Sequence, residues 1–194
     1  MREMIKLFVI VAIFSTIAGG VLAAINEATK DRIELQELAF VRGPAINNIL
    51  SGCSNNPLDD RFKLKDGKKE IDFFVGEFDG KRDTVAFETM GKGFGGDIGI
   101  MVAYNLENDE IVGMAVTTHS ESPGIGSRAQ TDPSFSKQFK GMTINGKFAV
   151  KADGGDIDAL SGATVTSRGV AAGVKESVDT YKRLKERILK KINA

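Results

Sequence analysis

Apolar residues run without a charge from Leu7 to Ile25, mostly Val, Ile, Leu, Phe and Ala. About 20 such residues suffice to cross a bilayer as a helix, so the pattern predicts a membrane span over residues 7–25. From Glu27 to about Leu50 charges return, while Ile33, Leu35, Leu38, Ala39, Val41 and Ile46 keep a partial apolar stripe. That spacing continues the helix, with an interruption at Gly43-Pro44. Ser51 to Asp60 collects Gly, Asn, Pro and Asp and reads as a loop. Residues 26–67 are thus expected to be a helical linker and loop. From Lys68 the period moves towards two: Ile71, Phe73 and Val75 alternate, and Asp79-Gly80 turns the chain into a second strand, Thr84 to Thr89. A glycine-rich loop follows from Gly91 to Gly96. Ile98 to Leu106 and Ile111 to Thr118 look like a hairpin, and Asn145-Gly146 predicts another between Met142-Ile144 and Phe148-Val150. Near Val165 the period becomes helical, with Val170, Val174, Val178, Tyr181, Leu184, Ile188 and Ile192 on one face.

The strand signals are antiparallel, and strands do not alternate regularly with helices. The expected fold is α+β: one N-terminal transmembrane helix, then a domain over 68–194 with a mostly antiparallel sheet and flanking helices. Arg2 and Lys6 precede the apolar run, offset by Glu3. The positive-inside rule puts residues 1–6 in the cytoplasm and the domain on the external, periplasmic or extracytoplasmic, side of the inner membrane. A cleavable signal peptide ending near Val21-Leu22-Ala23 is the alternative. The run is long for such a peptide and no sharp polar segment follows it, so an uncleaved anchor is expected.

Composition removes whole classes of function. Charges balance, 26 basic against 26 acidic, so nothing points to nucleic acid. Cys53 is the only cysteine and His119 the only histidine, which excludes an intrachain disulfide, a catalytic triad and a multi-histidine metal site. Leu50-Ser51-Gly52-Cys53 looks like a lipid-attachment signal but lies far from the apolar run and reads as coincidence. Lys182, Arg183, Lys185, Arg187, Lys190 and Lys191 crowd the end of the last helix, where cations suit the dipole. A solvated face is the default there, with membrane-surface or partner docking as the alternative.

The chemistry concentrates in Asp158-Ala159-Leu160-Ser161-Gly162-Ala163-Thr164-Val165-Thr166-Ser167. Hydroxyls and a glycine stand directly before a long helix, whose free N–H groups and dipole suit a phosphate. Read on cap chemistry alone, Ser161 or Thr164 is simply an N-cap. The stretch closely resembles the flavinylation motif of the FMN-binding domain found in NqrC and in the G subunit of Rnf complexes: Asp, two residues, Ser or Thr, Gly, Ala, then the hydroxyl residue that carries FMN through a phosphoester. The resemblance makes Thr164 the acceptor, with Asp158, Ser161, Gly162, Ala163 and Thr166 around it. Thr164 is expected near the N-cap, its phosphoester receiving the N–H groups of Thr166 and Ser167. Thr166 is expected inside the first turn.

His119-Ser120-Glu121-Ser122-Pro123-Gly124-Ile125-Gly126 is similar to that family's His-x-Glu-Thr-Pro-Gly-Leu-Gly segment, which wraps the flavin. Ser122 and Ile125 replace the usual Thr and Leu. The resemblance therefore adds His119, Glu121, Ser122, Pro123, Gly124, Ile125 and Gly126 as flavin contacts, although a lone histidine at a strand end is more often a packing or capping residue. Gly93-Phe94-Gly95-Gly96 fits the start of the domain, and the matching core covers 91–181. The resemblance implies an anchored FMN electron carrier, the G subunit of an Rnf-type complex that couples electron flow between ferredoxin and NAD to ion movement. Implied partners are the other membrane and redox subunits, the lipid bilayer and a flavin transferase of the ApbE type. An NqrC-like protein of a sodium-translocating quinone reductase and a stand-alone FMN shuttle are the alternatives. A pilin-like protein would need a cleavage-site glycine just before a Phe or Met and an acidic residue inside the apolar stretch, and Leu7 to Ile25 has neither.

Overall fold

The computed structural model describes residues 1–193, without the Asp31 side chain. Two compact units emerge, Met1–Phe40 and the chain from Val41 onwards. The first is helix α1, Arg2–Glu37. Within its stretch Arg2–Lys30 an 18-residue window reaches a mean hydropathy of 2.5 with no residue buried, so this helix is long and apolar enough to cross a membrane. A π-helical turn, Leu38–Arg42, lies between α1 and α2, Gly43–Ile49. Pro44 falls in the first turn of α2, where its missing N–H breaks no helical hydrogen bond.

The second unit is built on five strands: β1 Arg61–Asp66, β2 Lys69–Phe78, β3 Lys81–Lys92, β4 Asp97–Asn105 and β5 Glu110–Val116. They form one antiparallel meander in the order β1-β2-β3-β4-β5. Short helices α3, Arg128–Thr131, and α4, Pro133–Lys137, follow the sheet. Helix α5, Thr164–Ile192, crosses it. Period-two alternation gives the sheet its two faces. Phe73, Val75, Val85, Phe87, Ile100, Val102 and Tyr104 meet Val170, Val174, Val178 and Tyr181 of α5 in one core. On the opposite face Phe74, Ala86, Met101 and Ala103 are buried, and Leu50, just beyond α2, packs there beside Gly76. The crossing of α5 over β3 is close because it uses glycines. A Cβ at Gly91 would stand 2.2 Å from the Gly169 carbonyl oxygen, so neither position has room for a side chain.

A row of aromatic rings ties the core across the sheet. Phe62, Phe73, Phe87, Tyr104 and Tyr181 follow one another with centroids 5.5, 4.9, 5.8 and 4.5 Å apart. Each such pair adds roughly 0.5–1.5 kcal/mol beyond its buried area. The hydroxyls find partners. Tyr104 Oη shares a hydrogen bond with Ser177 Oγ at 2.5 Å, and Tyr181 donates to Asp109 at 2.7 Å. Burial pushes both phenol pKa values up.

Two expectations need correction. Arg61–Asp66, within the stretch read as linker and loop, pairs with β2 as an edge strand. Met142–Val150 forms no hairpin. Gly146 N–H does close a turn on Thr143 O at 2.9 Å, but Thr143 bridges to Glu110 and Val150 to Ile157. Phe148 and Val150 are buried in the domain interior rather than paired with Met142 and Ile144. The basic half of α5 keeps the solvated face expected of it: Lys182, Arg183, Arg187, Lys190 and Lys191 are exposed and Lys185 is half-buried, and several of them also find partners on the domain surface. Arg183 pairs with Asp66 at 2.7 Å, Lys185 with Asp109 at 2.5 Å, and Arg187 donates to the Lys65 carbonyl at 2.7 Å.

Candidate functional site

The turn before α5 decides where its first hydroxyl points. Ala163 N–H bonds Leu160 O at 2.9 Å, closing a four-residue turn. Its third residue, Gly162, has φ 79°, a conformation that favours glycine. Ser167, fully buried, fastens this turn to the helix: its hydroxyl accepts Leu160 N–H and donates to Ala163 O, both at 2.9 Å. Ala163 is therefore the N-cap and Thr164 the first helical residue, not the cap. The expected donor pair also changes, because Ser167 N–H is taken by Ala163 O at 2.9 Å. Among the described residues, the N–H groups of Thr164, Val165 and Thr166 have no acceptor. These three orphans, at the positive end of a 29-residue helix with no acidic residue in its first turn, are an anion site of ordinary design.

A cleft of about 410 Å³ opens at this turn. From α5 and its turn it is lined by Gly162, Ala163, Thr164, Val165 and Thr166. From the loop after β5 it takes Glu121, Ser122, Ile125 and Gly126, and from the β3–β4 loop Phe94. Thr164 is half-buried in the wall. A cleft of about 400 Å³ elsewhere, where Arg42 pairs with Glu88 at 2.9 Å, is lined by none of the motif residues.

Glu121 holds the three walls together. It is 6% exposed. Its Oε1 accepts Gly95 N–H at 2.6 Å, and its Oε2 accepts the hydroxyl of buried Thr166. Burial pushes the carboxyl pKa up, but the hydrogen bonds from Thr166, Gly95 and Phe94 outweigh it and hold it below the ordinary glutamate value. His119 supports the same loop. Its Nδ1 accepts Glu121 N–H at 3.2 Å, and Nε2 faces Gln130 Oε1 at 3.3 Å, a pairing that assigns the proton to Nε2.

The remaining motif residues flank the cleft. Pro123, Gly124 and Ser161 are exposed beside it. Asp158 has its backbone clamped by Gln138, at 2.7 and 3.2 Å, while its exposed carboxylate pairs with Lys151 at 2.8 Å. Sequence reasoning does not single out Phe94 or Val165 as site residues. Both are large exposed apolar side chains on the cleft wall. An aromatic residue set among glycines is the one available signal for Phe94.

A small antiparallel sheet under one long helix, with a hydroxyl-bearing cleft at the helix start, is the architecture of a flavin-binding domain. The family model for the FMN-binding domain matches residues 93–179. The chain belongs to the family formed by the G subunit of the ion-translocating oxidoreductase complex. It is 34% identical to the protein of that name from Salmonella typhi over 176 residues, covering 86% of this chain and 85% of the relative. It is 28% identical to that of Shewanella oneidensis over 189 residues, 91% of this chain and 89% of the relative. Among solved structures, Shewanella oneidensis NqrC is similar at 29% identity and a TM-score of 0.53, over 71% of this chain and 72% of that one. The C subunit of the Na(+)-translocating NADH-quinone reductase from Parabacteroides distasonis is similar at 26% identity and a TM-score of 0.52, over 60% and 63%.

Proposed function

We propose that this chain is the FMN-carrying, membrane-anchored electron-relay component of an Rnf-type ion-translocating oxidoreductase complex, with FMN joined to Thr164 by a phosphoester. The observation that carries this reading is the Thr164 hydroxyl in the wall of the cleft, at the mouth of a helix whose first three N–H groups lack protein acceptors. The phosphoryl group would lie on those donors, and the walls formed by Phe94, Ile125 and Val165 would take the apolar ring. When bound, FMN supplies the electron chemistry. The protein supplies attachment, orientation and electrostatics. Electrons would pass between the flavin and neighbouring redox subunits on the external face of the membrane.

Attachment is a phosphoryl transfer. Thr164 Oγ1 bonds to the FMN phosphorus of FAD, the diphosphate P–O bond breaks, AMP leaves, and the hydroxyl proton is released. A flavin transferase of the ApbE type would carry this out, reading the exposed Asp158 carboxylate beside the acceptor turn. The NqrC-like alternative has the solved structures on its side, but the relatives from ion-translocating oxidoreductase complexes cover more of the chain.

The test is in-gel flavin fluorescence after denaturation, in cells that make the transferase. The wild type should fluoresce and weigh more by FMN less one water. Thr164→Val should abolish covalent flavin, Thr166→Val should keep it, and Asp158→Ala should reduce loading. A fluorescent Thr164→Val with a dark Thr166→Val would move the acceptor. A dark wild type would end the flavoprotein reading.

A further inference from the structure

Glu121 is a carboxylate almost wholly removed from water, yet its partners are uncharged. Gly95 N–H and the Thr166 hydroxyl occupy its two oxygens. Among the described residues no lysine or arginine lies within ion-pair distance of it. His119 meets the residue at its backbone instead, where Nδ1 accepts the Glu121 N–H at 3.2 Å. Buried charges are ordinarily paired with an opposite charge. Here backbone and hydroxyl dipoles hold the charge, and its field is not cancelled.

That field falls on the cleft, because Glu121 and Thr164 line the same one. With its oxygens already engaged, the carboxylate has little left with which to grip a ligand. We propose that Glu121 is a positioning residue whose buried charge, paired with no lysine or arginine, holds the flavin at a low reduction potential, while it ties the two loops to α5. The inference rests on the FMN reading above.

The charge balance sets the sign. Two electrons and one proton added to a neutral oxidised flavin ring leave it with one negative charge. A fixed carboxylate opposes that change and favours the oxidised form. A cleft of about 410 Å³ keeps its contents close to the wall. A unit charge about 8 Å away, at an effective dielectric constant near 20, shifts an equilibrium by more than tenfold.

Glu121→Gln separates charge from shape. The amide can still accept from Gly95 N–H, and its nitrogen can donate to the Thr166 hydroxyl, which rotates to accept. The experiment uses full-length protein made with the transferase, its covalent flavin confirmed by mass. Reduction is followed by absorbance during a mediated dithionite titration at pH 8. Glu121→Gln should favour the reduced form at least tenfold, a positive shift of about 30 mV for a two-electron couple. An unmoved or lowered potential in a loaded variant with an unchanged melting temperature would overturn the inference and leave the flavin reading standing. A wild type without covalent flavin would take both down. If Glu121→Gln fails to fold or load, Thr166→Val decides. It keeps the carboxylate and removes a neutralising dipole, so the potential should fall, and a rise or no change would overturn the proposal.

Discussion

Phe94 is 77% exposed on the rim of the cleft, between two glycines that give it no neighbouring side chain to pack on. A large aromatic left bare in this way gains most from a flat partner. Phe94→Ala should therefore leave the denatured protein's flavin fluorescence unchanged but shift the flavin absorbance bands of the native protein, whose ring loses its apolar stacking partner. Exposed side chains contribute little to the fold, within about 0.5 kcal/mol, so the melting temperature should not move. Identical native absorbance bands in the two proteins would remove Phe94 from the site. The residues from Asp158 to Thr164 are legible in the sequence because the motif is contiguous and local turn chemistry fixes it. The bond between Thr166 and Glu121 joins residues 45 apart in sequence, and no local pattern announces it. The N-cap falls on Ala163 rather than Thr164 because Ser167 fastens the turn from inside the helix, which the sequence does not reveal.

Among the elements, α5 is the most legible. Its apolar period is regular, and the structure places it at Thr164–Ile192 against an expected start near Val165. The first strand escapes the pattern because Arg61–Asp66 is an edge strand of largely charged residues with one buried position, Leu64, too few to set a period. Asn145-Gly146 does turn the chain, but a turn signal cannot tell whether its flanks pair with each other or sink separately into a core. What fastens α5 to the sheet can be tested at Ser177. Tyr104 is fully buried, and Ser177 Oγ is its hydroxyl's only partner among the described residues. Ser177→Ala strands that hydroxyl, and an unsatisfied buried polar group costs roughly 1–3 kcal/mol. Chemical denaturation should show a loss of that size. A loss below about 0.5 kcal/mol would mean that the contact is incidental and that the aromatic row alone anchors the helix.

At the scale of the whole molecule, one question decides how the flavin domain works: whether α1 stays attached to it. Nothing in Leu7 to Ile25 is charged, and no residue of the stretch Arg2–Lys30 is buried in the free chain. A helix of that hydropathy left in water would expose an apolar surface far larger than soluble proteins tolerate, so it needs a bilayer or must be removed. Retention is the better fit to the chemistry proposed. An electron carrier that must meet membrane subunits repeatedly gains from being held at the surface, and the proposed covalent link to Thr164 would prevent loss of FMN on a side where the cytoplasmic pool cannot replace it. The helix charges favour residues 1–6 inside, with Arg2 and Lys6 against Glu3, although the Lys6–Glu3 pair at 2.9 Å weakens the bias. We expect the protein from its host membranes to resist alkaline extraction and to yield an N-terminal peptide beginning at or next to Met1. Protease added to intact spheroplasts should remove the flavin-bearing domain while sparing that peptide. A mature chain starting at Ala24 would make α1 a cleaved leader and the domain a free external carrier. A domain protected in spheroplasts would reverse the orientation and, with it, the reason given for a covalent flavin.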